Sequence, residues 1–229
     1  MPRRTALLPL LTLTFWSALA LAQPPGAGPQ GVPVDRAIAA YAQGRLPEAA
    51  KAFQQLAAQG NALARYNLAM MHLRDELPRS SARSARQLLE QAAGQGFVRA
   101  ELALGELHEQ GRLGRVDLVQ AQRWFLRAAE HGSVDGQVAV GTAFFLGRGA
   151  PKDMAQAARW FREAATGGDV GAQYLLASLY EQGDGVPRDL RLARYWYDIA
   201  ARNGDEAAPF KREEIDARIE SERQRQDEV

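Results

Sequence analysis

The chain has 229 residues, 46% of them apolar, which is enough for a sizeable core in one or two domains. Lys+Arg 28 against Asp+Glu 27 leave a formal charge of +1, so there is no basic field to draw nucleic acid or an acidic membrane. The absence of cysteine excludes disulfide frameworks, thiolate metal sites and cysteine nucleophiles, and there are only three histidines.

Arg3 and Arg4 precede an apolar stretch, Ala6 to Leu21, that ends on Ala20-Leu21-Ala22, the small-x-small pattern read by signal peptidase. Residues 1–22 are expected to be a secretory signal peptide cut after Ala22. The alternative is an uncleaved anchor, but the run is at the short end for a bilayer and breaks at Gln23-Pro24-Pro25-Gly26. A periplasmic or secreted product without stable membrane insertion is therefore expected, by the general secretory route in preference to the twin-arginine one. Residues 23–33, rich in Pro and Gly, read as a flexible linker. Residues 34–60 read as a short helix hairpin of tetratricopeptide type, with Tyr41-Ala42-Gln43-Gly44 ending one helix and Pro47 in the first turn of the next.

From residue 61 onward the sequence repeats itself every 36 residues. Trp124, Trp160 and Trp196 keep the step, as do Gly60, Gly96, Gly132, Gly168 and Gly204. So do Ala128, Ala164 and Ala200, and the acids Asp117, Asp153 and Asp189. Four gapless units result: 61–96, 97–132, 133–168 and 169–204. Within each, two stretches have helical apolar spacing, so the unit is a helix hairpin. Small residues (Gly105, Gly141, Ala128, Ala164 and Ala200) let helix axes approach, and the three tryptophans are expected in the packed core, where removing one costs roughly 3–5 kcal/mol. The three Asp residues are placed to cap second helices, and Gly147 and Gly183 to take positive φ between helices. The first unit is degenerate, with Asp75 for the loop glycine and Leu88-Leu89 for the Trp-aromatic pair. Residues 205–229 form a charged capping helix and tail, whose Phe210, Ile215 and Ile219 are expected to cover the last unit.

The pattern resembles the Sel1-like repeat, a subfamily of tetratricopeptide-type solenoids. The fourth unit carries the likeness most fully, in Ala172-Gln173-Tyr174-Leu175-Leu176-Ala177 through Glu181-Gln182-Gly183-Asp184-Gly185-Val186, then Asp189, Ala193, Trp196-Tyr197 and Ala200-Ala201. The resemblance implies an all-α fold, a right-handed α-solenoid, and a scaffold that binds another protein. It also implies that the first helix of each hairpin lines the concave face. The expected role is a periplasmic adaptor, monomeric and without cofactor, in envelope assembly, secretion, polysaccharide export or signalling.

No residue set carries catalytic chemistry. His72 and His108 share a column with Phe144 and Tyr180, so they read as aromatic-sized core or edge residues and not as metal ligands, and His131 stands alone beside a helix-ending glycine. The Gly-x-Gly loops follow no strand and precede no Lys-Ser/Thr, so they are not phosphate cradles. Some cysteine-rich members of the family are linked to β-lactam binding and hydrolysis, but this chain has neither cysteine nor a Ser-x-x-Lys motif. Binding of cell-wall glycan or anionic polysaccharide at Arg74, Arg79, Arg83 and Arg86 is the alternative function.

Partner specificity is expected in first-helix columns free of the repeat pattern: Arg65, Glu101, Gln137 and Gln173; Met70, Glu106, Thr142 and Ser178; Leu73, Glu109, Phe145 and Glu181. Phe145-Leu146 stands where the flanking units have Glu-Gln. The expectation is an anchor pocket of Phe145 and Leu146 rimmed by Glu101, Glu106, Thr142 and Gln173, with Phe145 as a local packing plug as the alternative.

Overall fold

The computed structural model describes residues 31–227. The expected signal peptide, and residues 23–30 of the expected linker, lie outside them. The described residues form eleven helices and no strand. Five hairpins follow one another: α1 (Gly31–Ala42) with α2 (Leu46–Ala58), α3 (Ala62–Leu73) with α4 (Ala82–Ala93), α5 (Val98–Glu109) with α6 (Leu118–Glu130), α7 (Val134–Leu146) with α8 (Met154–Thr166), and α9 (Val170–Gln182) with α10 (Leu190–Arg202). A long helix, α11 (Ala208–Asp227), closes the array. Each helix packs on the next in the chain, so the fold is an α-solenoid with a period of about 36 residues. The first helix starts at Gly31, inside the stretch read as linker. Among the described residues no helix is long and apolar enough to cross a membrane.

Local chemistry sets the helix ends. Asp117, Asp153 and Asp189 accept backbone N–H groups of Gln120, Gln156 and Leu192 at 3.0 Å, satisfying donors that the first helical turn cannot pair internally. At the far end of α7, Gly147 takes φ 71° and its N–H, with that of Arg148, returns to the Ala143 carbonyl. Asp75, in the same column, is the one non-glycine residue with positive φ among those described. The second glycine of the loop has another duty. A Cβ on Gly149 would lie 2.3 Å from the Leu118 carbonyl oxygen, and one on Gly185 2.1 Å from that of Met154, so each loop is pressed onto the preceding unit.

The core repeats with the sequence. Ala64, Ala100, Ala172 and Ala208 are at most 1% exposed, as are Ala92, Ala128, Ala164 and Ala200. Gly105 and Gly141 admit the rings of Phe125 and Phe161 against the helix backbone, where an added Cβ would come within 2.4 and 2.8 Å. The three tryptophans, expected in the packed core, do not form its central column. The buried aromatic column is Phe125, Phe161 and Tyr197, one residue after each tryptophan, while Trp124 and Trp196 are only half-buried and Trp160 alone is in the core. The centre of the buried face of α6 runs through Ala121, Phe125 and Ala128, and a neighbour in sequence is turned about 100° away. The tryptophans edge that stripe under arginines: Arg127 lies 5.0 Å over Trp124 and Arg159 5.4 Å over Trp160.

On α11, Ala208 and Ile215 are fully buried and Ile219 half-buried against the last hairpin. Phe210 points away and is 70% exposed, contrary to the covering role read from sequence, because helical geometry sets it opposite the Ala208–Ile215 stripe.

Candidate functional site

The first-helix columns split into two kinds. Glu101 and Gln173, expected on the rim of a binding pocket, are 0% and 2% exposed. Their position, early in the first helix, tucks them under the end of the preceding hairpin and the loop after their own. The Glu101 carboxylate lies 3.1 Å from the Arg127 guanidinium and 2.8 Å from His131 Nδ1, so His131 is not isolated. Arg127 also donates to the Ala93 carbonyl oxygen at 3.3 Å. In the fourth unit Gln173 does both jobs with an amide, donating to the Ala165 carbonyl at 3.1 Å and accepting from Asn203 at 2.9 Å. Arg65 donates to Ala57 in the first. This column fastens consecutive hairpins. The third unit breaks it: Gly167 stands where the neighbours have His131 and Asn203, and Gln137 Oε1 is buried without a partner.

The other columns are mixed: Leu73 is buried, Thr142 half-buried, and Glu106 and Glu109 are exposed, as is Leu146 beside them, at 51%. Although the Glu106 side chain is open to solvent, partial desolvation of its carboxyl, then the neighbouring charges of Asp135 and Glu109, raises its pKa above the ordinary value. Phe145 and Leu146 do not share a pocket. The Phe145 ring turns inward onto Phe161, centroids 6.2 Å apart at 61°, and plugs the joint between the third and fourth units. Leu146 points to the other side, into a groove between α6 and α7 of about 160 Å³. Leu118, Gln122 and Phe125 line its α6 wall, Thr142 and Ala143 its α7 wall, and Glu109 and Arg148 add one charge of each sign to the lining. Sequence reasoning missed Gln122 and Ala143 here. The available signal was a break in a core column: Met71, Leu107, Leu179 and Ile215 are at most 2% exposed, and Ala143 is the small member of that set.

The remaining candidates take structural places. The ring of His72 is half-buried, burial lowers its pKa, and its Nδ1 has no hydrogen-bond partner. No cluster of three or more His, Cys, Asp or Glu side chains that could hold a metal occurs among the described residues. Of the arginine group, Arg74 donates to the Tyr41 hydroxyl at 2.7 Å. Arg83 and Arg86 share a shallow groove with Ser81 and with Arg112 from the next hairpin.

A Sel1 repeat family model matches residues 62–97, 98–133, 134–169 and 170–205. None of the curated proteins compared matches the chain. Among solved structures, a Sel1 repeat protein from Oxalobacter formigenes is similar, with 33% identity and a TM-score of 0.67 over 73% of this chain and 49% of that one. So is c5321, a protective antigen of uropathogenic Escherichia coli strains with the same repeat fold, at 31% identity and a TM-score of 0.65 over 69% of this chain and 34% of that one. The chain thus spans half, or a third, of the length of these solved structures. Sel1 repeats build helical, generally non-enzymatic scaffolds that typically mediate protein–protein interaction. With four consecutive matches in a helical-hairpin array, the chain belongs to the Sel1 repeat family.

Proposed function

We propose that the protein is an exported adaptor, acting in the periplasm or outside the cell, that holds another protein on the first helices of its hairpins. The observation that carries this reading is the outward set of side chains on α5 and α7. Glu106, Glu109 and Leu146 are exposed and free of the repeat pattern, and Glu109 and Leu146 line an open groove. Conserving the stack needs none of them. Export rests on the Arg3-Arg4, apolar, Ala20-Leu21-Ala22 succession. Envelope assembly, secretion, polysaccharide export and signalling are all roles such an adaptor fills.

The test is photo-crosslinking in the living cell, with the reactive residue at position 146 and, as an outward-facing control on α6, at position 123. A discrete protein adduct from 146 and not from 123 supports the reading. A folded, exported protein that gives no adduct from any first helix refutes it. Arg112 joining Arg83 and Arg86 favours a second reading, docking of an anionic polysaccharide. Dextran sulfate binding that disappears in moderate salt and in Arg112→Ala would support that electrostatic contact.

A further inference from the structure

Resting on the adaptor reading, we infer that the groove between α6 and α7 receives a partner segment presenting a branched aliphatic or phenyl side chain followed, one helical turn on, by Arg or Lys. Three independent features of this joint converge on that chemistry.

The first is a missing side chain. Each stacked hairpin, and α11 after them, inserts one residue of its first helix against the preceding second helix: Met71, Leu107, Leu179 and Ile215, exposed by 1%, 2%, 2% and 0%. At the joint of the second and third units this residue is Ala143, and the space left over is open to solvent between Phe125, Leu118 and Leu146. About 160 Å³ is the size of cavity that holds a benzene-sized group.

The second is an acid without a cation. In the column Leu73, Glu109, Phe145 and Glu181, Leu73 lies in the core and Phe145 plugs its own joint against Phe161. Glu181 accepts from Arg218 at 2.5 Å and from the Tyr197 hydroxyl at 2.9 Å. Glu109 is exposed and has no ion pair among the described residues, and it lies close to Glu106, whose other acidic neighbour is Asp135. The rim on the α5 side is therefore negative. Arg148 also lines the groove, beyond salt-bridge distance of Glu109.

The third is an unsatisfied amide. Gln122 lines the groove, is 8% exposed, and its Oε1 is buried with no hydrogen-bond partner. A rotation of the Gln122 amide towards the groove lets an arriving peptide N–H supply the missing donor.

The chain itself displays the matching grammar. In the last joint, Ile215 of α11 fills the place that Ala143 leaves open, and Arg218, three residues later, reaches Glu181, the counterpart of Glu109. At the joint of the second and third units α7 holds the helix position but brings Ala143 and Leu146, so both groups must come from outside.

The experiment is selection of phage-displayed random dodecapeptides on the full chain, followed by fluorescence anisotropy with the best synthetic peptide. The expected result is enrichment of Leu, Ile or Phe followed three residues on by Arg or Lys. Binding should weaken about tenfold in Ala143→Leu, which restores the side chain common to the column and so keeps the fold. Glu109→Lys should shift selection towards Asp and Glu. Unchanged binding in Ala143→Leu, or an unshifted selection in Glu109→Lys, overturns the inference. So does an Ala143→Leu change that dissociates a dimer, which assigns the groove to a second copy of the chain. If these peptides fail while photo-crosslinking captures a partner from other first-helix positions, the groove is wrong and the adaptor stands. If crosslinking fails everywhere, the adaptor reading falls with it.

Discussion

Replacing Arg127 by alanine tests how the second hairpin is fastened to its neighbours. Glu101 is fully buried, and its carboxylate has two polar neighbours, the Arg127 guanidinium at 3.1 Å and His131 Nδ1 at 2.8 Å. Arg127→Ala leaves the carboxylate in place, takes away the permanent charge, and strips the Ala93 carbonyl of a donor. Breaking one side of a buried pair costs about 3–5 kcal/mol. The Arg127 side chain is 45% exposed, which lets water reach part of the site, so the lower end, about 3 kcal/mol, is expected. Glu101→Gln should cost less, about 1 kcal/mol, because Gln173 shows that an amide in this column can serve the facing carbonyl. The double variant should then lose less than the sum, with a coupling of about 2 kcal/mol. Urea denaturation followed by both circular dichroism and tryptophan fluorescence measures this, coincident curves marking a single transition. An Arg127→Ala loss below about 1 kcal/mol, or additivity within about 0.5 kcal/mol, refutes the idea that this charge cluster locks the joint.

Gly105→Ala should destabilise by about 1–2 kcal/mol despite the better helix propensity of alanine, because the added Cβ meets the Phe125 ring at 2.4 Å; combining it with Phe125→Leu, the pairing of Ala69 with Leu89 in the first unit, should recover most of the loss in thermal melts. Asp75→Gly should raise stability by about 0.5–1 kcal/mol, since Asp75 holds φ 56° where the other units use glycine; a fall in the urea midpoint would contradict this. Burial first, then the hydrogen bond to Glu181, raises the Tyr197 hydroxyl above its ordinary value of 10.0. The neutral phenol is the favoured form in the fold, so its contribution is complete below pH 10.0 and is lost as pH rises beyond it. Alkaline difference spectroscopy should find a tyrosine that ionises late in the native protein and is missing in Tyr197→Phe.

The repeat, its hairpin nature, its caps and its closing glycines were legible because each is a local rule written several times in register. The column of Asp117, Asp153 and Asp189 announces helix starts without any knowledge of packing. What the sequence could not tell was direction around the helix to within one residue. Trp124 and Phe125 are both large, and only the fitted stack decides that the Phe faces Gly105 while the Trp lies at the margin. Charge misled in the same way. Glu101 reads as a surface acid until the partners at positions 127 and 131 arrive from the other end of the hairpin. Phe145 drew attention as an apolar intruder, whereas the informative departure was the smallness of Ala143 two residues before it.

The last hairpin is tied to α11 through Arg188 with Glu222, Arg194 with Asp216, Arg212 with Asp198, and Arg218 with Glu181. Because α11 begins in register, with Ala208 where Ala172 sits one unit earlier, it terminates a one-dimensional lattice by substitution and not by interruption. Most of these pairs are partly exposed and weaken with ionic strength. Opening at this terminus is thus tuned by salt, while the interior joints, held by alanines, aromatic rings and the buried Glu101 carboxylate, respond far less. Hydrogen exchange at rising ionic strength would spread inward from α11, making dilution or concentration of the surrounding medium a dial for the effective length of the array.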